Sequence, residues 1–139
     1  IYFTDHADSL SVKNNILSTI TAYFVEVEAN AQGSIAFDYN DYYDGTDGWK
    51  WGADAADTTI ADWRTALGGA GADNDNNSFE LDPKLVSATD LHLLGSSPCI
   101  DAGTDLTATV LTDIDKQVVT DGNMDIGADE YYGGQAGLL

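Results

Sequence analysis

Few residues in this chain of 139 can move a proton or carry positive charge. His6 and His92 are the imidazoles, and Lys13, Lys50, Arg64, Lys84 and Lys116 are the whole cationic supply. Chemistry on acidic polysaccharides needs such groups together, cations to neutralise the uronate carboxylate and a base for the adjacent proton. Here they are scattered along the sequence. Arg64 falls on a helical stretch, where a surface salt bridge is the ordinary role. His92 sits in "LHLL". No serine nucleophile motif, phosphate loop, dinucleotide fingerprint or zinc cysteine pair is present. Cys99 is the single cysteine, set in the apolar "SSPCIDAG"; it reads as a buried, inert thiol and excludes an internal disulfide or haem attachment. No residue is assigned a catalytic role, and the pattern leans away from an enzyme without deciding the question.

Oxygen ligands and aromatic rings are more plentiful. In "DNDNN", Asp73, Asp75 and Asn77 alternate as in an EF-hand loop, which makes Ca²⁺ the one cofactor candidate. The likeness stops at Ser78, where such a loop needs glycine, and at Lys84, where it needs a bidentate glutamate. "GGAGAD" (68–73) matches the start of a nonapeptide calcium repeat but occurs once, and that motif works by stacked copies. A solvated Asx-rich turn is the competing reading. Tyr39, Tyr42, Tyr43, Trp49 and Trp51 form a dense aromatic run, suited to stacking on sugars and equally to packing a core or an interface.

The balance of 5 Lys+Arg against 24 Asp+Glu gives a net charge of −19. Such a surface repels phosphate backbones and anionic membranes, so nucleic acid is excluded as a partner. No apolar run is long enough to span a bilayer, so no membrane insertion is expected. With 43% apolar and 10% aromatic residues the chain is globular, and its length fits one domain over 1–139. It opens on Ile1 rather than Met, as a mature or trimmed product would.

Any site must be positioned by short strands. "SLSVKNNIL" (9–17) returns as "SIAFDYNDY" (34–42), an offset of 25 that sets Leu10 on Ile35, Val12 on Phe37, Asn15 on Asn40 and Leu17 on Tyr42. "IYF" returns as "YFV" at an offset of 22, implying a three-residue insertion around "NAQG". Each unit is strand, polar corner, strand, Asn turn, the pattern of one coil of a solenoid. A leucine-rich repeat also fits Leu10, Val12, Asn15 and Leu17, but its return path needs a helical turn, and "AYFVEVEA" alternates with period two. A right-handed parallel β-helix, with strands on every side and Asn15 and Asn40 stacked at an inner corner, fits better. The predicted fold is therefore all-β: about two coils over 1–45, a Trp-rich loop and short helix over 46–80, and an irregular cap over 81–139. "TTIADWRTALGG" carries the helix, with Thr58 or Thr59 as cap, Asp62 completing a capping box, Gly68 or Gly69 as stop, and Ile60, Trp63 and Leu67 on one face. In the tail, Asp101, Asp113 and Asp125 sit beside isoleucines and are expected to accept hydrogen bonds from loop N–H groups.

"FDYNDYY", "IADWRTALGG", "NSFELDPKLV", "DLHLLGSSPCIDAG" and "TDIDKQVVTDGNMDIGADEYY" follow one another in an order that resembles the end of secreted bacterial β-helix surface proteins, a type that often carries a separate C-terminal anchor. The polysaccharide lyases and uronate epimerases of this fold are relatives. The resemblance runs from about Ser9 to Tyr132. The chain departs from that pattern at Lys116, Val118 and Val119, where Gly and an Arg-Pro pair are usual, and at Asp129, where an aromatic is usual. The resemblance implies a bacterial extracellular or cell-surface location, and gives His92 a structural place. In lyases of this fold the chemistry lies on middle coils.

Two coils bury too little of each other to stand alone. The strand "IYFT" opens the chain without a cap, so Ile1, Tyr2 and Phe3 are expected at an exposed edge that pairs with upstream coils or with another subunit. The expected role is a structural or adhesive segment acting by stacking, self-association or filament assembly. The alternatives are the non-catalytic end of a lyase or epimerase, and a carbohydrate-binding module that uses the aromatic run on a polysaccharide.

Overall fold

The computed structural model of the chain describes residues 1–4, 10–29, 31, 35–53, 56–68, 74–119 and 123–133. Among the described residues it is mostly strands, with one short helix and no closed barrel. Strands β1 (Tyr2–Phe3), β4 (Val25–Val27) and β7 (Trp49–Trp51) form one parallel sheet in that spatial order. β2 (Leu10–Lys13) pairs in parallel with β5 (Ile35–Asp38), and β3 (Ile16–Ser18) with β6 (Asp41–Tyr43). The chain thus visits three sheets in fixed order, returns, and lays each new strand beside its predecessor.

The expected interval of 25 is the observed register, with Leu10 beside Ile35, Val12 beside Phe37 and Leu17 beside Tyr42. The expected interval of 22 is corrected. Tyr2 lies beside Glu26 and Phe3 beside Val27, an interval of 24. A slip of two residues keeps every side chain on its own face, so the alternation of apolar residues fits both registers.

A third pass replaces the expected loop. In "WKW", Trp49 pairs with Val25 and Trp51 with Val27, both Trp side chains are buried, and Lys50 points outward to the Glu26 carboxylate at 2.8 Å. This pass is interrupted by helix α1 (Ile60–Leu67) and resumes as single parallel bridges, Asn74 to Phe37 and Phe79 to Asp41. The helix forms as expected: Thr59 Oγ1 accepts from the Asp62 N–H at 3.1 Å and donates to Asp62 Oδ2, Gly68 ends it, and Trp63 and Leu67 are its buried face. Arg64 departs from the expected salt bridge. Its guanidinium donates to the Asp75 and Ser78 carbonyls at 2.7 and 2.6 Å, tying the returning loop to the helix.

Corners between strands repeat too. Asn14 and Tyr39, 25 residues apart, both have left-handed backbone, as do Thr19 and Asp44. Between the passes lies one core of Phe24, Val25, Val27, Ile35, Phe37, Tyr42, Trp49, Trp51, Trp63 and Leu67. Its rings pack edge to face from pass to pass, Phe3 on Phe37 and Phe37 on Trp63.

The tail is not an end cap. The antiparallel pair β8 (Leu85–Ser87) and β9 (Asp90–Leu93) leads into loops whose buried Leu93, Cys99 and Ile126 pack on Ile16, Tyr39 and Phe79. Those three residues belong to the first, second and third passes, so the tail runs along the side of all three. Asn14 pins it, with Oδ1 accepting from Thr104 N–H at 2.9 Å and Nδ2 donating to the Thr104 carbonyl at 2.8 Å. Gly127, at φ +125°, lies so close to the first pass that a Cβ there would stand 2.8 Å from Ile16 Cδ1.

Candidate functional site

A polar ladder climbs the inner corner. Asn40 Oδ1 accepts from the backbone N–H and side-chain amide of Asn15 at 3.1 and 3.0 Å, and Asn40 Nδ2 donates to the Val12 carbonyl at 2.9 Å. This is the amide stack expected from the repeat. Ser78 takes the same place on the third pass, where its Oγ accepts from the Asn40 N–H at 2.7 Å. The ladder ends on Asp75. This fully buried carboxylate accepts from Ser78 Oγ, from Tyr42 OH at 2.8 Å and from Trp63 Nε1 at 2.7 Å. Burial raises its pKa, and the three donors oppose that rise.

The calcium reading changes accordingly. Asp75 is occupied by donors inside the core. Asn77 gives its backbone N–H and Nδ2 to the two oxygens of buried Asp38, at 2.8 and 2.9 Å. Asp73 lies outside the described residues, as do His6 and most of 68–73. Asp75 and Asn77 therefore close a structural turn around Ser78.

The aromatic run is likewise inside. Tyr42, Trp49 and Trp51 are core residues, and Tyr39 and Tyr43 are half-buried. A sugar platform needs exposed ring faces, and the run does not present them together.

In the tail, Asp125 accepts from the Asp101 and Tyr131 N–H groups, both at 2.7 Å, and Asp113 Oδ1 accepts from those of Asp115 and Gln117 at 2.9 and 2.8 Å. These are the expected carboxylate acceptors. Asp101 is different: it is exposed, it supplies a donor N–H to Asp125, and its backbone is left-handed at φ 55°. Asp and Asn tolerate that conformation better than most residues. Cys99 is buried as expected, its thiol pushed up to about 12 by burial and by the neighbouring Asp41. Asp41 itself is raised to about 6, chiefly by burial. His92 bridges Asp90 and Asp115, which raise it to about 9.

The remaining candidate surface is the rim of the first pass. Ile1 and Tyr2 are 47% and 57% exposed, and Phe3 is half-buried, as expected for an open edge. Leu10 is 40% exposed, whereas its neighbour on the second pass, Ile35, is fully buried. Val12 is half-buried beside the fully buried Phe37. On the third pass Trp49 and Trp51 are buried, at 1% and 6% exposure, and Phe79 is half-buried.

No protein family, curated protein or solved structure matches this chain. Among the described residues no helix is long and apolar enough to cross a membrane. Sequence patterns pointed to Asn15, Asn40 and the rim. They missed Asn14, whose role depends on the tail, and Asp38 and Ser78, whose roles depend on a helix inserted between two rungs of the ladder; Asp75 was singled out, but as a calcium ligand. The one available signal was the placing of Ser78 next to "DNDNN", which turn chemistry explains as well.

Proposed function

We propose that this chain is the end module of an extracellular right-handed parallel β-helix, and that its activity is to receive a further coil on the rim of its first pass. The observation that carries this reading is the loss of cover between equivalent positions: Ile35 and Phe37 are fully buried, while Leu10 and Val12 one pass earlier are not. An apolar side chain in that position gains about 1.5–3 kcal/mol from full burial, so the rim favours another layer. Among the described residues β1, β2 and β3 each have one strand neighbour, which leaves an outer side for parallel pairing.

The two ends of the stack are unlike. Helix α1 packs into the third pass, a feature the first pass lacks, so a head-to-tail filament of this chain alone would lack two matching faces. The fitting partner is a coil of the same construction, supplied by preceding chain or by another subunit. On its own, the chain is expected to associate rim to rim. A net charge of −19 opposes that association, so it should strengthen with salt.

Sedimentation velocity of the chain in dilute buffer and in ~1 M salt, where the Debye length is about 3 Å, tests the reading. Concentration-dependent dimers that grow with salt and disappear in Leu10→Asp are expected. A monomer under every condition contradicts it.

A further inference from the structure

We propose that His92, Asp115 and Asp129 form a divalent-cation site of the nitrogen-and-oxygen type that suits Zn²⁺ and Co²⁺. Their ligand atoms come from three places far apart in sequence, strand β9, the turn at 113–117 and the closing loop, yet all lie within 4.8 Å of one another. His92 Nε2 stands 3.0 Å from Asp115 Oδ2. The other ring nitrogen, Nδ1, lies 2.5 Å from Asp90 Oδ1. A carboxylate on the far ring nitrogen is the arrangement that orients a metal-binding histidine and strengthens its lone pair, and it directs Nε2 toward the other two ligands.

The remaining ligands are placed for the task. Asp129 is buried at 6% exposure and is held by the Leu93 N–H, which donates to its Oδ2 at 2.8 Å. Asp115 is exposed, with its carboxylate already against His92 Nε2. Tetrahedral zinc holds its ligand atoms about 3.3 Å apart, so closure needs only a contraction of the present cluster.

Asp129 is shared with a cleft of about 400 Å³, whose wall carries Asp113, Asp125 and Glu130 against a single cation, Lys13. The excess of carboxylates raises the local concentration of cations beside Asp129. On binding, the metal takes the place of the proton that Nε2 shares with Asp115, and that proton leaves to solvent. Three protein ligands leave the fourth position of a tetrahedral ion to water.

The test is a titration of chelator-treated protein with CoCl₂, followed by the visible bands of tetrahedral Co²⁺ and by displacement with Zn²⁺. One equivalent bound is expected. His92→Ala and Asp115→Asn, both at exposed or half-exposed positions, should abolish the bands while far-ultraviolet circular dichroism stays unchanged. Asp90→Asn should weaken binding roughly 10–100-fold, as loss of an orienting carboxylate does elsewhere. Glu80→Gln, an exposed carboxylate away from the cluster, should change nothing. Absence of binding at ~1 mM Co²⁺, a site several kcal/mol weaker than the micromolar range, overturns the proposal. So does binding that survives His92→Ala, or that excess Ca²⁺ removes as readily as Zn²⁺, since either outcome describes a diffuse acidic surface.

Discussion

At the scale of single residues, the fold is held by polar groups that the stack would otherwise leave unsatisfied. Asn40 is the clearest case, because three hydrogen bonds converge on a fully buried amide. Asn40→Ala strands the Asn15 N–H and the Val12 carbonyl, and each buried orphan costs about 1–3 kcal/mol. Urea unfolding should show a loss of roughly 2–4 kcal/mol for this variant, a large part of a small domain's stability. A change comparable to that of an exposed Asn would refute the ladder. Asp41 makes a second residue-scale prediction. Its carboxyl is raised from 3.8 to about 6, chiefly by burial. Its contribution to stability is fully present below the lower value and is lost as pH rises through the upper one. Asp41→Asn keeps an acceptor for the Leu81 N–H and removes the titration. Relative to the wild type, the variant should therefore gain up to about 3 kcal/mol between pH ~4 and pH ~7. Parallel pH profiles of unfolding for the two proteins would show that Asp41 does not titrate as described.

At the scale of elements, helix α1 does the work that the tail was expected to do. Trp63 packs against Phe37, Trp49 and Trp51 and donates its indole N–H to Asp75, so the helix belongs to the core of the third pass. Trp63→Ala should cost about 3–5 kcal/mol and leave Asp75 short of a donor, whereas Thr59→Ala should cost about 1 kcal/mol through the cap alone. Equal, small losses in thermal unfolding would mean that the helix is an appendage. The helix itself was legible in sequence, because capping residues and apolar spacing are local signals. So was the pairing of β2 with β5 and of β3 with β6, since an interval of 25 aligns apolar residues and Asn together. The pairing of β1 with β4 was read two residues off, for the parity reason given above. The third pass was missed because "WKW" is flanked by glycines and aspartates that signal turns. Three residues show too little alternation to outweigh them, and it is burial of the two indoles that makes the strand.

At the scale of the whole molecule, three passes, a helix packed into the third and a tail along the side leave apolar residues exposed on the first-pass rim, at Ile1, Tyr2 and Leu10, as well as on the tail. That rim was readable from "IYFT" as a strand without cover. The acidic cluster around His92 was not readable, because Asp90, Asp115 and Asp129 come together only when the tail folds back on the stack. The role proposed for the rim is to receive another coil. The register gives a direct way to supply one: a second copy of residues 25–48 placed immediately before Ile1 falls on the interval of 24 observed between β1, β4 and β7, with the corner loops taking up the difference at β2 and β3. Completion of the rim should raise the melting temperature of this extended chain by several degrees, since covering Leu10, Val12 and Phe3 adds a few kcal/mol and each is worth roughly 2–8 °C in a domain of this size. An unchanged or lower melting temperature for a folded extended chain would contradict it.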